Sequence, residues 1–211
     1  MCVPIFNSQA PLPPLATFAL DDLAQFTAEG VFSPSDSPDS RLFLVGRDDV
    51  HGVFMHLYER VSLSIESTMF GYDDDDLNQV IWSKVENPNI ITEFVLDKNQ
   101  SGGVHEKKII ASDVAANPAK FAADFVITTS STSQIVHTKG GILDGIVGYE
   151  GSTNWSASGE GEGIGLHGAA NTTGFKAQEN TLMVFTNPTQ IAKLAARIHY
   201  AALVGRERTA S

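Results

Sequence analysis

The sequence predicts an α/β domain in which a mixed, largely parallel β-sheet is flanked by helices on both faces. Two apolar runs typical of strands, near residues 61–68 and 90–96, enclose a segment with helical spacing. That order is typical of a parallel strand–helix–strand unit. A further apolar run at 181–185 precedes an amphipathic pattern that closes the chain. With 211 residues, 42% of them hydrophobic, the chain is long enough for one sizeable core.

The chain divides at about residue 38. Residues 1–38 are rich in Pro, Ser and Ala, so we expect an extended N-terminal arm that carries at most a short helix near 20–26. The catalytic domain would then span 39–211. Within it we expect strands at 41–45, 61–68, 90–96, 121–128, 133–139, 141–147 and 181–185, and helices at 50–60, from the acidic run to 86, at 103–117 and after Asn187.

The acidic run Asp73–Asp76 has two interpretations. Carboxylate oxygens suit Ca²⁺ or Mg²⁺, so the run could hold a metal ion. It also directly precedes Leu77, Val80 and Ile81, which recur at helical spacing. Aspartates in that position cap a helix and favour its dipole. We therefore interpret the run as a helix start and expect neither a metal site nor a cofactor.

The residue types that carry chemistry are concentrated in one glycine-rich segment. His137, Lys139 and Asp144 are followed eight and ten residues later by Ser152 and Asn154. An imidazole can attack phosphorus or transfer a proton near neutral pH. A lysine supplies positive charge for phosphate oxygens, and hydroxyl and amide groups donate hydrogen bonds to them. The set of side chains indicates phosphate chemistry.

The spacing resembles the signature of the phospholipase D superfamily, which is His-x-Lys, four residues and Asp, followed by a Gly-Ser/Thr-x-Asn element. His137, Lys139 and Asp144 match the first part, and the run from Gly151 to Asn154 matches the second. The resemblance implies a phospholipase D-like half-unit as the fold. It implies that His137 and Lys139 are catalytic, and that Asp144 helps to hold the site.

The same resemblance implies roles for three further residues. Ser152 and Asn154 would bind the substrate phosphate. Glu179 lies where the superfamily has a Glu after the second element, and it could accept a hydrogen bond from the active-site imidazole. If residues 133–139 form a strand, His137 and Lys139 point to one side, because side chains two apart share a face. The loop Gly159–Gly165 would lie at the mouth of the site.

The chain carries one copy of the signature. In the superfamily, single-signature chains pair as homodimers, so the resemblance implies a homodimer with the active site at the two-fold interface. The chemistry gives a separate reason. Transfer through a phosphohistidine needs one His as nucleophile and a second group to protonate the leaving oxygen. A two-fold axis would supply both from one gene.

We therefore expect a phosphodiesterase that works through a phosphohistidine, with nucleic acid or phospholipid as substrate. A non-specific endonuclease is our first expectation, because nucleases are the commonest short members of the superfamily. A phospholipase D-type lipid hydrolase is the next. A catalytically idle dimeric phosphate-binding or scaffold protein is the third, although it would have no chemical need for His137 and Lys139.

Net charge is −11, which counts against a protein that holds nucleic acid across its whole surface. A local basic groove is still compatible with a nuclease, and Lys139, Lys107, Lys108 and Lys120 could contribute to it. With a single cysteine and no apolar run of membrane-spanning length or secretory type, we expect a cytoplasmic protein. Export without a recognisable signal stays open.

Overall fold

A mixed seven-stranded sheet, with strand order β1-β7-β6-β5-β2-β3-β4, organises the chain. The computed structural model describes residues 14–130, 132–161 and 178–210. The expected α/β class and mixed sheet are confirmed. The strands are β1 (Ser40–Leu44), β2 (Ser64–Met69), β3 (Ile91–Asp97), β4 (Phe125–Thr128), β5 (Lys139–Leu143), β6 (Val147–Gly151) and β7 (Thr181–Phe185).

Parallel pairing is confined to one side of the sheet. β2 pairs with β3, and β3 with β4, in parallel. The pairs β2–β5, β5–β6, β6–β7 and β1–β7 are antiparallel. The sheet is therefore less parallel than expected. For β5 and β6 the physical reason is the short turn between them, because a connection of that length can only reverse the chain, whereas parallel pairing needs a long crossover.

Helices cover both faces of the sheet, as predicted. The first five helices and a short 3₁₀ helix at Leu20–Phe26 precede β7 in the chain, and the sixth follows it. No helix in the described ranges combines the length and apolar character that crossing a bilayer requires. The helices are α1 (Val50–Glu59), α2 (Asp75–Val85), α3 (Val104–Ala116), α4 (Pro118–Asp124), α5 (Ala157–Glu160) and α6 (Pro188–Ala210).

Strand alternation divides the apolar residues between two cores. In β3, Phe94 belongs to the larger core and the next residue, Val95, to the smaller one. The larger core includes fully buried side chains of α1 and α2, such as Leu57 and Leu77. The smaller core is made with Ile198 and other residues of α6. Helices α1 and α2 therefore pack on one face of the sheet, and α6 packs on the other.

A buried hydroxyl network lies beneath β5. Tyr58 Oη lies 2.7 Å from Tyr149 Oη and 2.9 Å from Ser67 Oγ. Burial raises the pKa of both tyrosines. Gly141 sits directly over the network, since a Cβ there would come within 2.5 Å of Ser67 Oγ. Any larger residue at position 141 would displace this network.

Three predicted strands differ in the structure. The predicted strand at 141–147 covers the end of β5, a turn at 144–146 and the first residue of β6. The segment 121–128 is the end of α4 followed by β4, because Pro118 occupies the first turn and Asn117 caps the helix through Lys120 N. The predicted strand at 133–139 is irregular up to position 138, and β5 begins at Lys139. Before Lys139 the described backbone does not pair with a neighbouring strand. The N–H of Val136 donates to the side chain of Asp97 at Oδ2 instead.

The described part of the arm, residues 14–38, packs against the domain. The expected short helix is present as a 3₁₀ helix at Leu20–Phe26. Leu15 and Leu23 are fully buried in the larger core, and Leu15 N donates to Arg60 O. Residues 1–13 lie outside the described ranges. The boundary at residue 38 stays a prediction.

Asp144 anchors the turn between β5 and β6. It adopts a left-handed backbone conformation with φ of 52°. Its carboxylate accepts hydrogen bonds from the backbone N–H groups of Ser62, Leu63 and Ser64 and from Ser62 Oγ, at 2.8–3.2 Å. It thereby joins the turn to the residues that lead into β2.

We predict that Asp144→Ala lowers the free energy of unfolding by about 2 kcal/mol, because three backbone donors lose their acceptor. Asp144→Asn should lose less, because an amide oxygen remains and Asn tolerates the left-handed region. Urea unfolding of the three proteins measures both differences. An alanine variant within about 0.5 kcal/mol of the wild type would contradict the anchoring role.

Candidate active site

Five of the six residues predicted for the site lie at one edge of the sheet, and four of them belong to the signature. β2, β3, β4 and β6 end at this edge, and β5 and β7 begin there. His137 precedes β5, Lys139 is its first residue, and Ser152 and Asn154 follow β6. The pairing of Lys139 with Gly151 brings the two parts of the signature together. Ligands commonly bind outside the carboxyl ends of strands in such sheets.

His137 is exposed at this edge. Its ring packs edge-to-face against Phe70, with the centroids 4.7 Å apart and an interplanar angle of 63°. The preceding residue, Val136, is buried and donates its N–H to the fully buried Asp97 over 2.6 Å. Asp97 also accepts from the N–H groups of Asn99 and Gln100. This carboxylate fixes the backbone from which the imidazole projects.

Lys139 is buried beside these residues, with only 3% of its surface exposed. Its Nζ donates to the backbone carbonyl of His137 over 2.9 Å and lies 4.7 Å from the centroid of Phe70. Phe70 therefore contacts both side chains. The expected strand alternation does not place them together, because position 137 precedes the strand. The aromatic ring and the carbonyl contact do so instead.

The surroundings lower both pKa values. Burial lowers the pKa of Lys139 to about 8, while the negative charge of Asp97 opposes that shift. Burial and the nearby Lys139 charge lower the pKa of His137. At neutral pH, the imidazole is therefore largely neutral and carries a lone pair that can attack phosphorus, while the lysine keeps its positive charge.

Neighbouring residues hold the side chains of Ser152 and Asn154. Ser152 Oγ donates to Asn180 Oδ1 and accepts from Thr181 N, both at 3.0 Å. Asn154 Oδ1 accepts from Gly71 N over 3.1 Å. Within the described part of the chain, the Asn154 Nδ2 group makes no hydrogen bond, so its N–H groups can donate to a ligand oxygen.

Asp144 lies away from this cluster, and Glu179, two residues before β7, makes no described contact with it. Asp144 follows the last residue of β5, at the opposite end of the strand from Lys139. Any effect on the site is therefore indirect, through the position of β5. Glu179 is exposed, and no hydrogen bond or ion pair links it to His137 or to another described residue. The predicted loop Gly159–Gly165 begins in α5, which includes Gly159 and Glu160, and its residues 162–165 lie outside the described ranges.

A groove of about 630 Å³ begins beside the site and follows the surface of β6 and β7 next to α6. Thr138 and Gly151 line its end at the site, and Lys193 and Arg197 project from α6. Arg197 also lines a small cleft with His137. The predicted basic residues Lys107, Lys108 and Lys120 do not line this groove, and Lys120 pairs with Asp124.

Phe70, Lys193 and Arg197 are candidate site residues that the sequence patterns did not indicate. The two basic residues of α6 are four positions apart, so they share a helix face, and that spacing could have indicated them. No sequence pattern indicates Phe70, because its role depends on its contacts with His137 and Lys139, which are far from it in sequence.

Neither protein-family models nor curated proteins match the sequence. Solved structures do match the fold. Nuc from Salmonella typhimurium, a phospholipase D family member, superposes with a TM-score of 0.59 at 12% identity, over 79% of this chain and 97% of Nuc. NucT from Helicobacter pylori gives 0.55 at 12% identity, over 77% and 94% of the two chains.

The phosphatidylserine synthase of Haemophilus influenzae gives a TM-score of 0.55 at 12% identity, over 83% of this chain. The match spans 38% of that synthase, which is a longer protein. At 12% identity these likenesses concern the fold. The fold likeness and the sequence resemblance at 137–154 point to the same superfamily. The chain has the fold of the phospholipase D superfamily.

Proposed function

We propose that this protein is a phosphodiesterase that cleaves its substrate through a phosphohistidine on His137. The observation that carries the proposal is the shared support of His137 and Lys139 by Phe70. It puts a largely neutral imidazole and a cation beside one another at an accessible edge. A nucleophile and a fixed positive charge are the two requirements for displacement at an anionic phosphorus.

In the first step, an imidazole nitrogen of His137 forms a bond to phosphorus as the bond to the leaving oxygen breaks. That oxygen takes a proton from the partner's His137, whose charged form the adjacent anionic phosphate favours, and this imidazole becomes neutral. Water then attacks phosphorus and gives its proton to the same partner imidazole, and the phosphorus–nitrogen bond breaks. Lys139 and the amide of Asn154 stabilise the negative charge on the phosphate oxygens in both steps.

The proposal includes a homodimer with the site at its two-fold axis. A single chain offers one signature histidine, while the reaction uses two imidazoles. His137 is exposed, so its ring is accessible to a second chain. Ile135, two residues away, is 45% exposed and apolar. A dimer contact at this edge would cover it.

For the substrate, we propose nucleic acid, with cleavage of single-stranded or nicked DNA or RNA and little sequence preference. The groove beside His137 carries Lys193 and Arg197, which can bind phosphates on either side of the cleaved bond. Glu150 is the one acidic residue among the described residues of the lining, so the groove keeps a net positive charge and gives an acidic protein a place to bind a polyanion.

A lipid hydrolase is the second candidate. Leu42 and Met183 line the same groove and are 51% and 39% exposed. Apolar side chains beside a phosphodiester site could contact acyl chains. A substrate comparison therefore distinguishes the two candidates.

The first functional prediction concerns the nucleophile. His137→Ala should reduce hydrolysis of a bis-aryl phosphate diester by several orders of magnitude, because the covalent route is lost. His105→Ala is the matched control, since His105 is an exposed histidine on α3 that the proposal does not use. Circular dichroism checks that both variants fold. Near-normal turnover by a folded His137→Ala protein would refute the proposed chemistry.

The second concerns assembly. Light scattering should give a dimer at micromolar concentration. Wild-type and His137→Ala chains, co-expressed with different tags, should yield a heterodimer with far below half of wild-type activity, because its only imidazole pair is broken. If the heterodimer keeps half the activity, each chain works alone and the shared site is wrong. A protein that stays monomeric in light scattering would also contradict the shared site.

The third concerns the substrate. One preparation is assayed against oligonucleotides and against phosphatidylcholine and cardiolipin vesicles. We expect turnover of oligonucleotides that falls as salt rises, because phosphate binding releases counterions. The double variant Lys193→Ala/Arg197→Ala should weaken oligonucleotide cleavage more than bis-aryl phosphate hydrolysis. Turnover of lipid alone would favour the second candidate, and turnover of neither would favour a small diester or an idle protein.

A further inference from the structure

Three ligand-type side chains converge at a second place in the fold. They are His51 in the first turn of α1, Asp74 at the start of α2 and Glu160 at the end of α5. His51 Nδ1 lies 2.8 Å from Glu160 Oε2 and 3.0 Å from Asp74 Oδ2. One ligand atom from each side chain lies within 4.8 Å of the other two. Within the described ranges, this is the one such group of His, Cys, Asp or Glu.

Two carboxylate oxygens of this group are buried without a hydrogen bond. Glu160 is 2% exposed and Asp74 is 7% exposed. Glu160 Oε1 has no hydrogen-bond partner, and Asp74 Oδ2 has none apart from the ion-pair contact with His51 Nδ1, although Asp74 Oδ1 caps α2 through Leu77 N. Buried polar atoms in proteins nearly always have a partner, because leaving them unpaired is costly. The two oxygens therefore indicate a missing partner at this place.

The imidazole alone cannot supply that partner. His51 Nδ1 carries at most one hydrogen, which already faces Glu160 Oε2. A divalent cation would neutralise both carboxylates and use the unpaired oxygens as ligands.

We propose that His51, Asp74 and Glu160 bind a divalent transition-metal ion, with Zn²⁺ as the best fit. Zn²⁺ accepts imidazole nitrogen together with carboxylate oxygen, and three protein ligands with water complete its tetrahedral coordination. Ca²⁺ and Mg²⁺ prefer six or more oxygen ligands, so one nitrogen and two carboxylates suit them less. The imidazole binds in its neutral form and releases its proton to solvent.

The site has an entry path. The side chain of His51 is 21% exposed, while those of Asp74 and Glu160 are 4% and 0% exposed. An ion can therefore reach the buried oxygens from the imidazole side. The exposed neighbours Asp75 and Asp76 lie outside the ligand group. Of the acidic run, only Asp74 contributes to the site.

The ion would join α1 and α2 to the chain that follows β6. Glu160 lies six residues after Asn154, and Trp155 between them pairs with Tyr72 as an isolated bridge. Asp73 N also donates to Trp155 O over 2.7 Å. The proposed role is structural and separate from the His137 chemistry, so it stands or fails without the proposed activity.

The test uses chelator-treated full-length protein titrated with ZnCl₂ at pH 7. We expect one bound Zn²⁺ by mass spectrometry of the dialysed protein, and a rise in the thermal midpoint on binding. Glu160→Gln keeps the side-chain shape but loses the charge, so affinity should fall by more than about 100-fold. Asp76→Asn, the control, removes an exposed acid of the same run and should bind like the wild type.

A wild-type protein that binds no Zn²⁺ at micromolar concentration overturns the proposal. Equal binding by wild type, Glu160→Gln and Asp76→Asn overturns it too, since the ion would then be elsewhere. If Glu160→Gln fails to fold, the coordination of a metal ion by the wild-type protein still tests the proposal. Co²⁺ added to it should give the visible absorption of a four-coordinate site with nitrogen and oxygen ligands, and a six-coordinate spectrum contradicts the assignment.

Discussion

The placement of β5 between β2 and β6 is the constraint on which the site depends. Because β5 runs antiparallel to both strands, its first residue lies where they end. Lys139 thereby meets Phe70 after β2 and the Ser152 segment after β6. Two glycines follow Lys139, and at Gly141 the backbone passes so close to the buried hydroxyls that no side chain fits. The sheet core and the site therefore share one strand.

Much of this arrangement could be predicted from local patterns. The apolar periods of α1 and α6 and the aspartate cap of α2 depend on neighbouring residues in the chain, so the sequence predicts them well. The residue types and spacing of the signature are sufficient by themselves to indicate phosphate chemistry. They also indicate four of the side chains that gather at the edge of the sheet.

Features that depend on distant partners could not be predicted in the same way. The segment before Lys139 has strand-like alternation. The N–H of Val136 nevertheless donates to the buried carboxylate of Asp97, so it is not available for pairing with a neighbouring strand. Asp97 and Val136 are far apart in sequence, so no local pattern signals this bond. His51, Asp74 and Glu160 are likewise far apart in sequence. No local pattern therefore indicates that these three side chains meet.

The contact between Lys139 and the carbonyl of His137 has a consequence for binding. A free lysine side chain loses considerable rotational freedom when it is fixed on a ligand. Here the stem is already buried and the ammonium already held by a carbonyl and an aromatic ring. Most of that entropy is lost when the protein folds, before any phosphate arrives. The charge is thus preorganised, so an entering anion needs little rearrangement of this side chain.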